Sequence, residues 1–149
     1  MYIEKKQDLS VYYFIKTLFA DAPFINVTNA FEPENLTIPT VAVENDEINT
    51  YNQELGNRSF GKIRTWYIDV FAANRSQRDE YAYRVLHAIE EKIPVYDYDQ
   101  GFPPDVTPTK LGVIDPESVQ LTIVKVLPEL TELMYYRSVV QFTAVYNEI

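Results

Sequence analysis

Two short motifs and two single residues in this sequence could do chemistry, and each can be weighed on spacing alone. Gly56-Asn-Arg-Ser-Phe-Gly61-Lys62 has the G-x-x-x-x-G-K spacing of a phosphate-cradling loop. The next residue should be Ser or Thr to hold magnesium, and it is Ile63. Such a loop also leads from a strand into a helix, whereas this one leads into a strand pattern, so nucleotide binding is not expected. Asp97-Tyr-Asp99-Gln-Gly101 begins like a calcium loop, but Phe102 stands where Gly is needed and Pro108 where the bidentate Glu is needed. A turn, with Gly101 supplying a positive φ, is the expected role. His87 is the sole histidine and falls on a helix flank, with no Ser or acid placed by a triad motif. Asp69 is an acid inside an apolar strand; pairing with an Arg, or exposure on an open sheet face, explains it more simply than acid–base catalysis. No catalytic, cofactor-binding or metal-ligating residue is assigned, and no enzyme is expected.

Composition narrows the classes further. A chain of 149 residues fits one domain, 1–149. Cysteine is absent, which removes disulfides, thiolate nucleophiles and Cys-based zinc sites together. No apolar run approaches the roughly 18 residues of a membrane span, and Met1 to Asp8 lacks the layout of a signal peptide. The four Asn-x-Ser/Thr sequons therefore carry no expectation. A net charge of −9 opposes nonspecific binding to nucleic-acid phosphates. The unusual quantity is aromatic: 12 Tyr and 8 Phe, spread over most elements. Tyr suits a surface that is wet in one state and covered in another, so an oligomer interface is expected beside its β propensity.

The elements that must position these residues follow from periodicity and punctuation. Val11, Phe14, Ile15, Leu18 and Phe19 recur at helical spacing, capped by Asp8 or Ser10 and ending about Ala20, before Pro23. A short strand at Phe24 to Thr28 and an extended connection to Pro39 precede a buried strand, Thr40 to Glu44. Asn45 to Asn57 is polar and acidic, a loop or the tip of a projecting hairpin. A long strand follows from Arg58 to about Ala73. Ser76 with Asp79 then resembles a capping box, opening a helix whose core stripe is Ala82, Val85, Leu86, Ile89 and Ile93. Pro94 to Pro116 holds five of the nine prolines and reads as a long loop. Strands at about Val119 to Val126 and Met134 to Tyr146 close the chain. The expected fold is α+β: a largely antiparallel sheet of four or five strands, with two main helices on one face.

Charge is uneven along the chain. Glu44, Asp46, Glu47 and Glu54 lie in or beside the polar loop, and Arg58, Lys62 and Arg64 cluster at the start of the next strand. One reading is two solvated surfaces or a pairing within one chain. The other is a head-to-tail contact between subunits, which closes into a ring where the rotation permits. All seven residues are subunit-interface candidates. On the ring reading, Arg64→Glu should loosen assembly more than it destabilises the fold.

These pieces together resemble the tail terminator and neck (head–tail joining) proteins of tailed bacteriophages. The likeness rests on the first helix, the strand at Pro39 to Glu44, and Trp66-Tyr-Ile-Asp-Val-Phe-Ala72 before the Gln77-Arg-Asp-Glu80 helix. The Asp97-Tyr-Asp-Gln-Gly101 turn and the closing Val139-Val-Gln-Phe-Thr-Ala-Val145 complete it. The resemblance implies a virion protein, assembled in the host cytoplasm as a ring, commonly a hexamer, on the last ring of the tail tube. Its implied partners are itself, the tail tube protein and a neck or connector protein. Genomic DNA would pass its lumen without specific binding, with no membrane and no cofactor involved. An acidic lumen would repel phosphates, and Asp46, Glu47 and Glu54 are the lumen-facing candidates. The other classes are a non-viral interaction adaptor and a small ligand-binding enzyme using the 94–116 loop as a lid. The enzyme would be marked by a convergent polar pocket with a perturbed acid, and concentration-dependent ring formation would favour the virion reading over both.

Overall fold

In the computed structural model, which describes residues 1–29, 37–52, 60–125 and 136–149, two helices pack against one mixed sheet. The order along the chain is α1 (Ile3–Leu18), β1 (Asn26–Thr28), β2 (Thr40–Asn52), β3 (Phe60–Ala72), α2 (Arg75–Ile89), β4 (Ile93–Asp97), β5 (Thr109–Lys125) and β6 (Tyr136–Glu148). The sheet has 6 strands in the order β1-β2-β3-β6-β5-β4. The pairing of β1 with β2 is parallel, and every other pairing is antiparallel. The α+β class expected from the sequence is therefore the class observed, but the strand count of four or five was too low, and the largely antiparallel sheet is mixed through its one parallel pairing.

The missed strand lies in the proline-rich stretch. Ile93–Asp97 is β4 and Thr109 opens β5, so the expected loop of 94–116 shrinks to the connection 98–108. Two prolines are tolerated inside strands for separate reasons. Pro94 sits on an edge strand, where a missing N–H need cost no ladder bond. Pro116 sits at the register shift between Pro116 and Ser118, where the β5–β6 ladder is already interrupted. Likewise β2 does not stop at Glu44. It runs to Asn52 through a register shift between Asn45 and Ile48, so much of the expected polar loop is the ascending arm of a β2–β3 hairpin. The remainder of that loop, and the 126–135 connection, lie outside the described residues.

Alternation along the strands decides the core. Val41 and Val43 of β2 face the same side as Trp66, Ile68 and Val70 of β3 and as Val140, Phe142 and Ala144 of β6. Against this side pack Val11 and Ile15 of α1 and Tyr81, Val85 and Ile89 of α2. Trp66 stacks on its register partner Phe142, ring centroids 5.4 Å apart. Burying each of these large side chains stabilises the fold by about 2–3 kcal/mol. The same alternation turns Asp69, Phe71 and Thr65 to the other face, where Thr65 and Thr143 hydroxyls approach within 3.3 Å.

The helix ends differ from the sequence reading. Helix α1 begins at Ile3, so Asp8 and Ser10 lie within it and serve as cross-links rather than caps. Helix α2 is capped by Asn74, whose Oδ1 accepts from the Gln77 N–H at 2.9 Å. Gln77 Oε1 in turn accepts from the Ala73 N–H at 2.8 Å. The reciprocal logic of a capping box is met two residues earlier than Ser76–Asp79. Helix α2 ends at Ile89, and Ile93 serves the same core from β4.

Candidate functional site

Helix α1 bonds to both flanks of the sheet, and an open groove lies beside it. On one flank, Asp8 Oδ1 accepts from Arg64 Nη2 at 2.8 Å and from Trp66 Nε1 at 3.0 Å, while its Oδ2 accepts from Asn45 Nδ2 at 3.0 Å. Arg64 Nη1 also donates to Gln7 Oε1 and to the Glu4 carbonyl, both at 3.0 Å. The guanidinium lies 4.6 Å from the Trp66 ring centroid, an arrangement favourable to a cation. On the other flank, Ser10 Oγ accepts from the backbone N–H of Tyr96 at 3.1 Å, blunting the outer edge of β4. Lys6 Nζ bridges Asp97 at 3.1 Å and Asp99 at 2.8 Å, and the amino terminus reaches Asp99 at 3.2 Å.

Between α1, β4 and the 98–108 connection lies a groove of about 550 Å³. Its floor and walls include Tyr13, Phe14, Leu18, Pro94, Tyr96 and Pro108, with the hydroxyl of Ser10 at its edge. Among the described residues, no charged side chain lines it. Tyr13 packs on Tyr98 at 5.5 Å between centroids, and Tyr98 stacks on Phe102 at 5.8 Å. Tyr98 is buried, and that burial pushes its phenol above the usual value. The wall is held by a tight turn. The Asp99 N–H donates to Asp97 Oδ1 at 3.0 Å, and Gly101 takes φ +135°. A side chain at Gly101 would meet Val106 Cγ2 at 2.7 Å as well as strain the backbone. The turn and the positive φ expected for this stretch are both present.

The sequence-derived candidates scatter. Lys62 pairs with Glu4, holding that carboxyl below its usual value, and stands in β3 rather than at the end of a phosphate loop. Asp97 and Asp99 are engaged by Lys6 and the amino terminus, and no cluster of three or more metal-donor residues occurs among the described residues. Arg64 is 2 % exposed and is bound within its own chain. Of the two readings for the basic cluster, intrachain pairing is what Lys62 and Arg64 adopt, with acids of α1 rather than of the 45–57 loop. With Arg64 buried and bonded within its own chain, Arg64→Glu is now expected to act on the fold before assembly. Glu44 is half-buried on the face away from the helices, opposite Tyr67, and Asp46 is exposed on the β2 edge. Glu47 lies in β2, its side chain outside the described set, and Arg58 and Glu54 lie outside the described residues.

Asp69 meets the pairing expectation. Arg137 Nη2 donates to its Oδ1 at 2.8 Å, and the guanidinium lies 5.2 Å from the Phe71 ring. Burial pushes the Asp69 carboxyl above its ordinary value, with Arg137 pulling the other way and Glu44 adding to the rise. It does not border the groove. His87 is 75 % exposed, with Glu90 Oε2 3.8 Å away. The groove itself was not anticipated. Its one signal in the sequence was the recurrence of Tyr beside Pro from Pro94 to Pro108, which was read as loop. No protein-family model matches the chain, and no curated protein matches it.

Proposed function

We propose that this chain is a structural virion protein that forms a ring at the head-proximal end of a phage tail, ending tube growth and joining the tail to the head. The observation that supports this reading is spatial. The phrases that resemble the terminator and neck proteins are separated in sequence but contiguous in the fold. Trp66–Ala72 is β3, it runs through the Asn74 cap into α2, and Val139–Val145 pairs beside it in β6. A second support is the uncharged aromatic groove, a surface suited to contact rather than to chemistry. The action is steric and interfacial, with no bond made or broken. Acids on the β2–β3 hairpin, Asp46 among them, would face the lumen and repel DNA.

Another neck role, or a non-viral adaptor, uses the same kind of surface. An enzyme reading is weaker, since the perturbed acid, Asp69, is on the opposite face from the groove. Light scattering across concentration, with negative-stain imaging of the same sample, tests the proposal. Open-centred rings are expected. A strict monomer at every concentration would move the assignment to a neck protein that assembles on its partner, or to an adaptor.

A further inference from the structure

The groove is open in the single chain, and among the described residues the same chain leaves an apolar side chain largely exposed. Phe24 is 64 % exposed, in the turn between α1 and β1. It is not a loose tip. Its neighbours Ala22 and Ile25 are buried, and the turn is tied by the Ala22 N–H to the Phe19 carbonyl at 3.1 Å and the Ile25 N–H to the Ala22 carbonyl at 3.0 Å. The ring is thus presented on a fixed backbone, which lowers the ordering cost of inserting it into a partner.

The two features belong to opposite edges of the sheet. Phe24 leads into β1, one edge, and the groove is bordered by β4, the other. Phe24 is no part of its own chain's groove lining. A knob and a hole at different places on one molecule can pair head to tail, the kind of contact that propagates around a ring.

Charge supports the match. Three residues before Phe24, the exposed Asp21 shares the Arg84 cation with Glu80, at 3.1 and 3.5 Å, so this cluster of one cation and two acids is net negative. At the groove, Asp97 and Asp99 are already engaged by Lys6 and the amino terminus. Lys16 adjoins the lining residue Thr17, and Lys110 pairs in register with the lining residue Tyr96. The groove side thus offers two lysines, with Asp105 on the connecting loop as an opposing acid.

We propose that the groove between α1, β4 and the 98–108 connection receives Phe24 of a second copy of this chain, with Pro23 beside it and the Asp21–Glu80 side facing Lys16 and Lys110. This rests on the ring reading above and names its contact. The occupant is an identical subunit; a small apolar ligand or an unrelated protein is the alternative that the experiment separates.

The test uses the full chain with p-benzoylphenylalanine at position 24, irradiated under assembling conditions and mapped by mass spectrometry. Cross-links to a second copy, on peptides holding Tyr13, Tyr96 or Pro108, are the expected result. In parallel, Phe24→Asp and Thr17→Trp, the second of which fills the groove, should each raise the concentration for half-assembly at least about tenfold. Tyr83→Asp, at an exposed site on α2, should not. Circular dichroism checks that each variant is folded, and the photo-reactive variant keeps an aromatic ring at position 24 if Phe24→Asp is not. Rings that persist in both Phe24→Asp and Thr17→Trp, or cross-links that map elsewhere, overturn the inference and leave the ring reading standing. Absence of self-association in the wild type at every concentration overturns both.

Discussion

Replacing Arg64 by Met should destabilise the monomer fold severely, whatever it does to assembly. The side chain is 3 % exposed and the head group makes hydrogen bonds to Asp8, Gln7 and the Glu4 carbonyl. Removing one partner of a buried charge pair costs about 3–5 kcal/mol, because the remaining charge is left desolvated. Asp8 softens the loss, since it is 22 % exposed and keeps Trp66 and Asn45 as donors. The methionine stem also retains packing against Trp66. A cost near the lower end, about 3 kcal/mol, follows, which lowers the melting temperature of a domain this size by about 6–12 °C. Arg64→Glu adds repulsion against Asp8 and Glu4 and should leave little or no folded protein. Thermal and urea unfolding of wild type, Arg64→Met, Asp8→Asn and the double variant measure both the loss and the coupling. The pair should be non-additive by about 1–2 kcal/mol, as expected for residues in one network. A melting temperature for Arg64→Met within about 2 °C of wild type would refute the reasoning and return Arg64 to a solvated or intersubunit role.

Further predictions follow the same logic. Asn74→Ala should cost about 1 kcal/mol through loss of the α2 cap, whereas Ser76→Ala should stay within about 0.5 kcal/mol; urea melts that rank them the other way would place the cap at Ser76 after all. Gly112→Ala should cost about 1–3 kcal/mol, because the new Cβ would press on the Asn147 carbonyl and approach Tyr146 Cε2 at 2.7 Å; an unchanged melt would mean that β6 gives way freely. Stability should fall as pH drops below the ordinary values of 4.5 for Glu4 and 3.8 for Asp99, whose carboxyls are held low by Lys62 and Lys6. The folded state keeps these groups ionised to lower pH than the unfolded state does, so their contribution exists above those values and is lost through the acid range. Asp69, pushed upward, works in the opposite sense. Lys62→Met and Lys6→Met should each flatten the acid limb of melting temperature against pH; identical limbs in all three proteins would refute the assignment.

The readable parts of this protein were those governed by local physics. Helical spacing of Val11, Ile15, Val85 and Ile89 marked two amphipathic helices, because a helix buries one stripe whatever it packs against. The apolar run from Trp66 to Ala72 marked β3, and pairing with an Arg was one of the two readings offered for Asp69. Glycine and acid placement marked the Asp97–Gly101 turn. What the tertiary structure decided was pairing. Pro94 and Pro116 argue against strands when read alone, yet one falls on an edge and the other at a register shift, and neither position is visible until strand order is known. The cap of α2 was misplaced because Ser76 and Asn74 are both good caps, and the site where β3 ends chose between them. The partners of Arg64 could not be named from the sequence, because Glu4, Gln7 and Asp8 lie more than fifty residues away on α1. The aromatic groove was hidden for the same reason: its Tyr and Pro residues come from a helix, an edge strand and a loop. A sequence determines which faces are apolar, because periodicity is a property of one element. Only the fold decides which faces meet, because that depends on contacts between segments far apart in the chain.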